Sequence, residues 1–182
     1  MGIAYKNFWS LNTDEAVAAG ILRYHMPKEH EVFMPLNAQS KGIDLLLVNL
    51  KNKKFVSIQV KGSRAYESSK KESLPGSAGW FMFKKDVILK ASADWFIYLI
   101  YVIEEEKSTG RRYINPHVVT ISTKDLKNLF KQSAYEVKGG RFNQIIWINP
   151  KDKKAFDIHN SKHDFSKWLD KEGIEKLKRA VR

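Results

Sequence analysis

Three polar side chains with the chemistry of a phosphodiester-cleaving site occur in one predicted β-hairpin, residues 42–62. Asp44 opens the segment, and Gln59 and Lys61 close it. A carboxylate and an amide oxygen are hard ligands for a divalent cation, and a lysine can orient an attacking water or stabilise charge on a phosphate. These residues predict metal-assisted phosphodiester hydrolysis. Mg²⁺, or Mn²⁺ as a substitute, would bind Asp44, Gln59 and the carbonyl of Val60.

The strands of the hairpin must bring the three side chains together. Alternation along a strand puts Gln59 and Lys61 on one face. A two-residue turn at Asn52-Lys53 would pair Leu46 with Gln59 and Asp44 with Lys61, with directly opposed Cβ atoms about 5 Å apart. A register changed by one residue would move Asp44 to the other face.

Helices are predicted on both sides of a strand-rich middle, which indicates an α/β or α+β class. We expect an α/β fold with a mixed central β-sheet flanked by helices. The whole chain of 182 residues fits a single domain, residues 1–182. A helix is predicted from Asn12 to Tyr24, a strand over 31–36, and a strand buried on both faces over 94–103. The later segments predict a strand over 113–121, a helix capped by Ser122 and Asp125, a strand pair at 145–148 and 155–158, and closing helices broken at Gly173.

The composition favours a polyanionic partner. The net charge is +12 and the pI about 9.7, which indicates nucleic acid first and an anionic membrane surface second. The absence of cysteine excludes disulfides and thiolate chemistry. No apolar run approaches the roughly 18 residues of a membrane span, and the first residues lack a signal-peptide pattern. A cytoplasmic protein without membrane association is expected.

Asp44, Gln59 and Lys61 resemble the core of the PD-(D/E)XK nuclease superfamily, which includes restriction enzymes, Holliday-junction resolvases and some homing endonucleases. Its pattern is an Asp at the head of one strand and Glu/Asp-x-Lys on the next. Here Ile43 replaces the proline, and Gln59 replaces the second acid, a variant seen in some members. Glu15 resembles the family's helix acid. The resemblance covers roughly residues 12–103 in element order.

The resemblance implies a Mg²⁺-dependent endonuclease with a restriction-endonuclease-like core, acting on duplex or branched DNA. Catalytic roles fall on Asp44, Gln59, Lys61 and Glu15, and Glu15 would also bind the metal. Cutting both strands usually needs two active sites, so a homodimer is expected. Six further residues are candidate contacts to DNA: Ser63, Arg64, Lys70, Lys71, Lys138 and Arg141.

Other interpretations of the same residues stay open. Asp44 and Lys61 could form an ordinary cross-strand ion pair, although residues 45–66 contain five cations and no acid. Glu15 could complete a capping box with Asn12. Gln59 could mark a nucleic-acid-binding module that has lost cleavage, and an RNA-processing nuclease is a third possibility.

Overall fold

The computed structural model describes residues 13–35, 42–67, 76–106, 108–131 and 140–182. None of the helices in these ranges combines the length and the apolar character needed to span a membrane. The elements are, in chain order, α1 (Thr13–His25), β1 (His30–Phe33), β2 (Leu45–Asn49), β3 (Phe55–Ser63), β4 (Tyr66–Glu67), β5 (Ser77–Lys84), α2 (Lys85–Leu89), β6 (Trp95–Glu105), β7 (Arg112–Ser122), α3 (Thr123–Lys131), β8 (Arg141–Asn149), β9 (Lys154–Asp157), β10 (Asn160–Asp164), a 3₁₀ turn (Ser166–Trp168) and α4 (Asp170–Ala180).

The first sheet is mixed and carries the hairpin. Its strand order is β1-β2-β3-β6-β7, and every neighbouring pair is antiparallel except β3 and β6, which are parallel. A parallel pair needs a crossover, and here the chain between β3 and β6 supplies β4, β5 and α2. The predicted α/β class with a mixed sheet is therefore confirmed.

A second sheet, with the order β10-β9-β8-β5-β4, is entirely antiparallel. It packs on one face of the first sheet together with α2 and α3, while α1 and α4 cover the other face. The sequence predicted helices around one central sheet. It did not predict a second sheet as one of the layers, because the segments that build it are separated along the chain.

Strand β6 lies between the two cores. Its residues alternate in direction: Trp95, Ile97 and Leu99 pack with the α1 and α4 layer, whereas Phe96 and Tyr98 pack with the second sheet. The first six side chains of the strand, Trp95 to Ile100, are all buried, which confirms the prediction of a central strand covered on both faces. β6 is also the strand that pairs with β3 and so supports the hairpin.

Helix α4 continues through Gly173, so the predicted break there is wrong. A Cβ atom at this position would lie 2.1 Å from the carbonyl oxygen of Trp168 and 2.9 Å from that of Thr120. The glycine is required by the close approach of the helix to neighbouring backbone, and not by a helix end.

A histidine between two acids joins the start of α4 to β7. The Nδ1 atom of His117 lies 2.7 Å from Asp170 Oδ2, and its Nε2 atom lies 3.3 Å from Glu104 Oε1. Asp170 also accepts a hydrogen bond of 2.9 Å from the amide of Val118, and its φ of 45° is left-handed. Burial alone would lower the pKa of His117, but the two carboxylates outweigh it and raise the pKa.

Candidate active site

The register of the hairpin differs from the predicted one by two residues. Leu45 pairs with Ile58 and Leu46 with Ser57, and the amide of Asp44 donates to the carbonyl of Ile58 at 2.9 Å. Asp44 therefore lies beside Gln59, and the predicted pairs of Asp44 with Lys61 and Leu46 with Gln59 are wrong. Because the shift is two residues, every side chain keeps its predicted face.

The turn explains the shift. Asn49 and Lys54 close a four-residue loop, with the amide of Asn49 2.8 Å from the carbonyl of Lys54. The Asn49 side chain accepts hydrogen bonds from the amides of Lys51 and Asn52 at 3.0 and 3.4 Å, and Lys53 adopts a left-handed φ of 60°. An asparagine that bonds the backbone two residues on favours this loop over the predicted two-residue turn at Asn52-Lys53.

Asp44 immediately precedes β2. The first residue of β2, Leu45, pairs with Ile58 in the middle of β3, so β3 continues past this end of β2. The Oδ2 atom of Asp44 accepts a hydrogen bond of 2.7 Å from the amide of Val60. Burial raises the pKa of Asp44 above that of an ordinary aspartate, although the Val60 amide and the charge of Lys61 act in the opposite direction. The carboxylate has lost more hydration than its protein partners replace, so an added cation would stabilise its ionised form.

Gln59 and Lys61 share the face of Asp44. Leu45, Ile58 and Val60 point into the core beneath α1, so their alternating neighbours point away from it. Gln59 is only 7% exposed, whereas Lys61 is half-buried. The structure thus brings the three predicted residues to one face, with the carboxylate beside the amide and the lysine within electrostatic reach of the carboxylate.

Two residues near this part of the hairpin were not anticipated, Ser92 near Gln59 and Asp94 beside Ser57. A Cβ atom on Gly42, whose φ is 89°, would lie 3.2 Å from Ser92 Oγ and 3.8 Å from Gln59 Nε2. Asp94, at the start of β6, accepts hydrogen bonds from the amide and hydroxyl of Ser57 at 2.8 and 2.7 Å. Ser92 and Asp94 lie in the loop before β6. The parallel pairing of β3 with β6 brings that loop to the hairpin.

Asp14 of α1 lies against β3. A Cβ atom on Gly62 would lie 1.9 Å from Asp14 Oδ2, and the Tyr101 hydroxyl donates to Asp14 Oδ1 at 2.9 Å. Burial and this carboxylate together raise the pKa of Tyr101 to about 12. Glu15, the predicted helix acid, is half-buried one position further along α1. A glycine after Gln-x-Lys was the available signal, since it permits such an approach.

The predicted DNA contacts are distributed over both sheets. Ser63 is buried and joins the sheets, because its hydroxyl accepts from the amide of Trp80 at 2.7 Å and donates to the carbonyl of Arg64 at 3.0 Å. Arg64 is exposed, as is Arg141 at the start of β8. The remaining three lie outside the described residues: Lys70, Lys71 and Lys138.

Among the residues described, no group of three His, Asp or Glu side chains is placed to hold a metal ion. The ligand set predicted here combines two carboxylates, those of Asp44 and Glu15, with an amide oxygen and a backbone carbonyl, so it contains fewer than three such side chains. Comparison with protein-family models, with curated proteins and with solved structures found no match for this chain.

Proposed function

We propose that the protein is a Mg²⁺-dependent endonuclease of the PD-(D/E)XK type that hydrolyses phosphodiester bonds of DNA. The observation that carries the proposal is the position of Asp44. Its carboxylate is desolvated, lies beside Gln59, and shares a face with Lys61 in a strongly basic chain. A helix, a strand and the hairpin precede the buried strand β6, with β4, β5 and α2 between the hairpin and β6, and this order supports the proposal.

The metal would bind at the end of β2. Asp44 supplies the anionic oxygen, and the amide oxygen of Gln59 is within reach on the neighbouring strand. The amide and carbonyl of one strand residue point to the same side, so the carbonyl of Val60 points to the edge where its amide binds Asp44. Mg²⁺ keeps several waters in such a site, and its charge offsets the desolvation of the carboxylate.

Lys61 would act on the phosphate. Its ammonium is two residues beyond Gln59 on the same face, where it can orient the attacking water or stabilise the charge that builds on the phosphate oxygens. The proposed substrate is duplex or branched DNA, since the net charge of +12 favours a polyanion. The proposal includes a homodimer, because two sites are needed to cut both strands, and a cytoplasmic location.

A plasmid-nicking assay with matched variants tests the proposal. Supercoiled, linear and four-way-junction DNA are incubated with Mg²⁺, Mn²⁺ or EDTA. Asp44→Asn keeps an acceptor for the Val60 amide but removes the anionic ligand, so cleavage should be lost while binding is kept. Lys61→Met should lower the rate by roughly 10²-fold or more. Lys51→Met removes the same charge from the exposed turn and is the control. Undiminished cleavage by either site variant would refute the assignment.

A second candidate is a nucleic-acid-binding module that no longer cleaves, and the observation that favours it is the neutral Gln59. Gln59→Glu adds a carboxylate at nearly the same volume and should tighten Mg²⁺ binding in calorimetry without DNA. Gln59→Leu removes the oxygen and should abolish cleavage. If the parent binds DNA but shows no metal-dependent cleavage, and Gln59→Glu gains it, the module is the correct interpretation.

A further inference from the structure

The outer face of the second sheet carries an exposed aromatic strip. Along β5, Phe81 points into the core, whereas Trp80 and Met82 point outward and are 43% and 53% exposed. Tyr66 of β4, 40% exposed, is on the same face, with its ring centroid 6.0 Å from that of Trp80 in an edge-to-face arrangement. Large apolar side chains that share one exposed face indicate an interaction surface more often than chance exposure.

Two cationic side chains lie at one end of this strip. Lys84 and Arg141 are directly paired across β5 and β8, on the same face as Trp80, and both are exposed. Like charges placed opposite each other across a sheet lower stability unless an anion lies between them. No carboxylate occurs among the residues of β4, β5 and β8 on this face. Its exposed or partly exposed members are Tyr66, Trp80, Met82, Lys84, Arg141, Asn143 and Ile145, and its buried members are Ala78, Trp147 and Asn149.

The tryptophan is held in place at both ends. Its indole Nε1 donates a hydrogen bond to Oδ1 of Asn143 on β8. Its backbone amide donates to the hydroxyl of Ser63 at 2.7 Å, and Ser63 is two residues beyond Lys61 on β3. An exposed ring that is fixed in advance loses little conformational freedom on binding. The strip is therefore preorganised and directly hydrogen-bonded to the strand of the candidate active site.

We propose that this surface, named the β5 platform and consisting of Tyr66, Trp80, Met82, Lys84 and Arg141, binds single-stranded DNA. Bases stack on the two aromatic rings, and phosphates bind the paired cations, which is the combination that sequence-tolerant single-strand binding uses. The inference rests on the proposed function in taking DNA as the partner. It deepens that function by naming the substrate class: DNA in which unpaired nucleotides adjoin the bond to be cut.

Binding is measured without cleavage, by fluorescence anisotropy of a labelled oligo-dT in EDTA, with unlabelled duplex as competitor. Trp80→Leu and Tyr66→Leu should each weaken oligo-dT binding about tenfold, in line with the loss of one stacking contact. Trp80→Phe should restore most of the affinity. Phe55→Leu, which removes an exposed ring (64%) from the hairpin, should leave binding unchanged.

The cations have a separate readout. Lys84→Gln and Arg141→Gln should each reduce the slope of log K against log salt by about 0.7, the value for one phosphate contact on a single strand. Lys51→Gln, at the hairpin turn, is the charge-matched control and should leave the slope unchanged.

Three results would overturn the platform. The first is parental oligo-dT affinity in Trp80→Leu and Tyr66→Leu, with their melting temperatures showing intact folds. The second is parental salt slopes in both cation variants. The third is a self-associating parent that becomes monomeric in Trp80→Leu with DNA binding unaltered, which would make the strip a contact between copies.

The platform and the nuclease can fail independently. Oligo-dT binding is measured in EDTA, where the metal site is empty, whereas cleavage needs the metal, so the two readouts are separate. If neither the parent nor any variant cleaves DNA but the platform variants lose oligo-dT binding, the nuclease proposal fails and the platform stands. If cleavage requires Asp44 but the platform variants bind and cut branched DNA like the parent, the platform fails and the nuclease stands.

Discussion

The carboxylate of Asp44 holds a backbone amide and, in the proposal, a metal ion, and two substitutions separate these roles. Asp44→Ala removes the acceptor of the amide of Val60, a buried residue, whose hydrogen bond is 2.7 Å long. Leaving such a donor without a partner costs about 1–3 kcal/mol. At about 2–4 °C per kcal/mol for a chain of this size, the melting temperature should fall by about 2–12 °C.

Asp44→Asn should behave differently, because an amide oxygen can still accept from Val60 while the desolvated charge is gone. Burial raises the pKa of Asp44, so its cost to folding is absent below the unfolded-state pKa, grows as the pH rises above that value, and is complete above the folded-state pKa. The asparagine variant should therefore be at least as stable as the parent at neutral pH, and the difference should vanish as the pH falls below about 4.

The assay is thermal and urea unfolding of the parent and both variants at pH 7.5 and pH 4, with and without Mg²⁺. A cation that binds only the folded parent stabilises it by about 2.7 kcal/mol at a concentration one hundred times its Kd. Neither variant should respond. Asp94→Asn, which alters the acid bonded to Ser57, is the control that should keep the Mg²⁺ response.

The contrary result is that Asp44→Asn is destabilised as much as Asp44→Ala and that Mg²⁺ raises all melting temperatures equally. Asp44 would then be a structural cap for the end of β2 with no role in cation binding.

Two further predictions concern contacts that hold α4 and α1 to the first sheet. Because Asp170 and Glu104 raise the pKa of His117 despite its burial, its stabilising effect is complete below the unfolded-state pKa and is lost as pH rises through the folded-state pKa. The stability advantage of the parent over His117→Gln in urea unfolding should thus shrink from pH 6 to pH 8; a constant difference would contradict a charged histidine. Gly62→Ala should cost about 1–3 kcal/mol, because the new Cβ would overlap the side chain of Asp14, and the same substitution in an Asp14→Ala background should cost clearly less in chemical denaturation.

Patterns in the sequence that reflect local physics predicted the corresponding structure. The apolar run of 94–103 became β6, because its β-branched and aromatic residues favour a strand over a buried helix. Ser122 and Asp125 form the predicted cap of α3, with the hydroxyl of Ser122 2.8 Å from the carboxylate and 3.1 Å from the amide of Asp125. The strands around the turn after Asn149 pair as predicted. Each of these depends on residues close together in the chain.

The missed features depend on distant partners. Asn49, which sets the register, also donates to the carbonyl of Val181 at 3.0 Å, a contact across most of the chain. Asp14 reaches Gly62, and Gly173 fits beneath neighbouring carbonyls, only once the helices have docked. The face shared by Asp44, Gln59 and Lys61 was predictable because alternation is local. The register of the hairpin, which decides the residue opposite Asp44, was not predictable, because the turn could close in two ways.

The alternation of β6 has a consequence for how the protein unfolds. Phe96 and Tyr98 belong to one core, and Ile97 and Leu99 belong to the other. Because these residues alternate along the same strand, loss of packing in one core disturbs the strand that the other core packs against. The two sheets should therefore melt as one cooperative unit, with a single transition seen by near-UV and far-UV circular dichroism alike. A cavity made by Tyr98→Ala, on the side away from α1, should accordingly speed amide exchange in α1 itself. Opening of the candidate site would then be a property of the whole chain rather than of its hairpin.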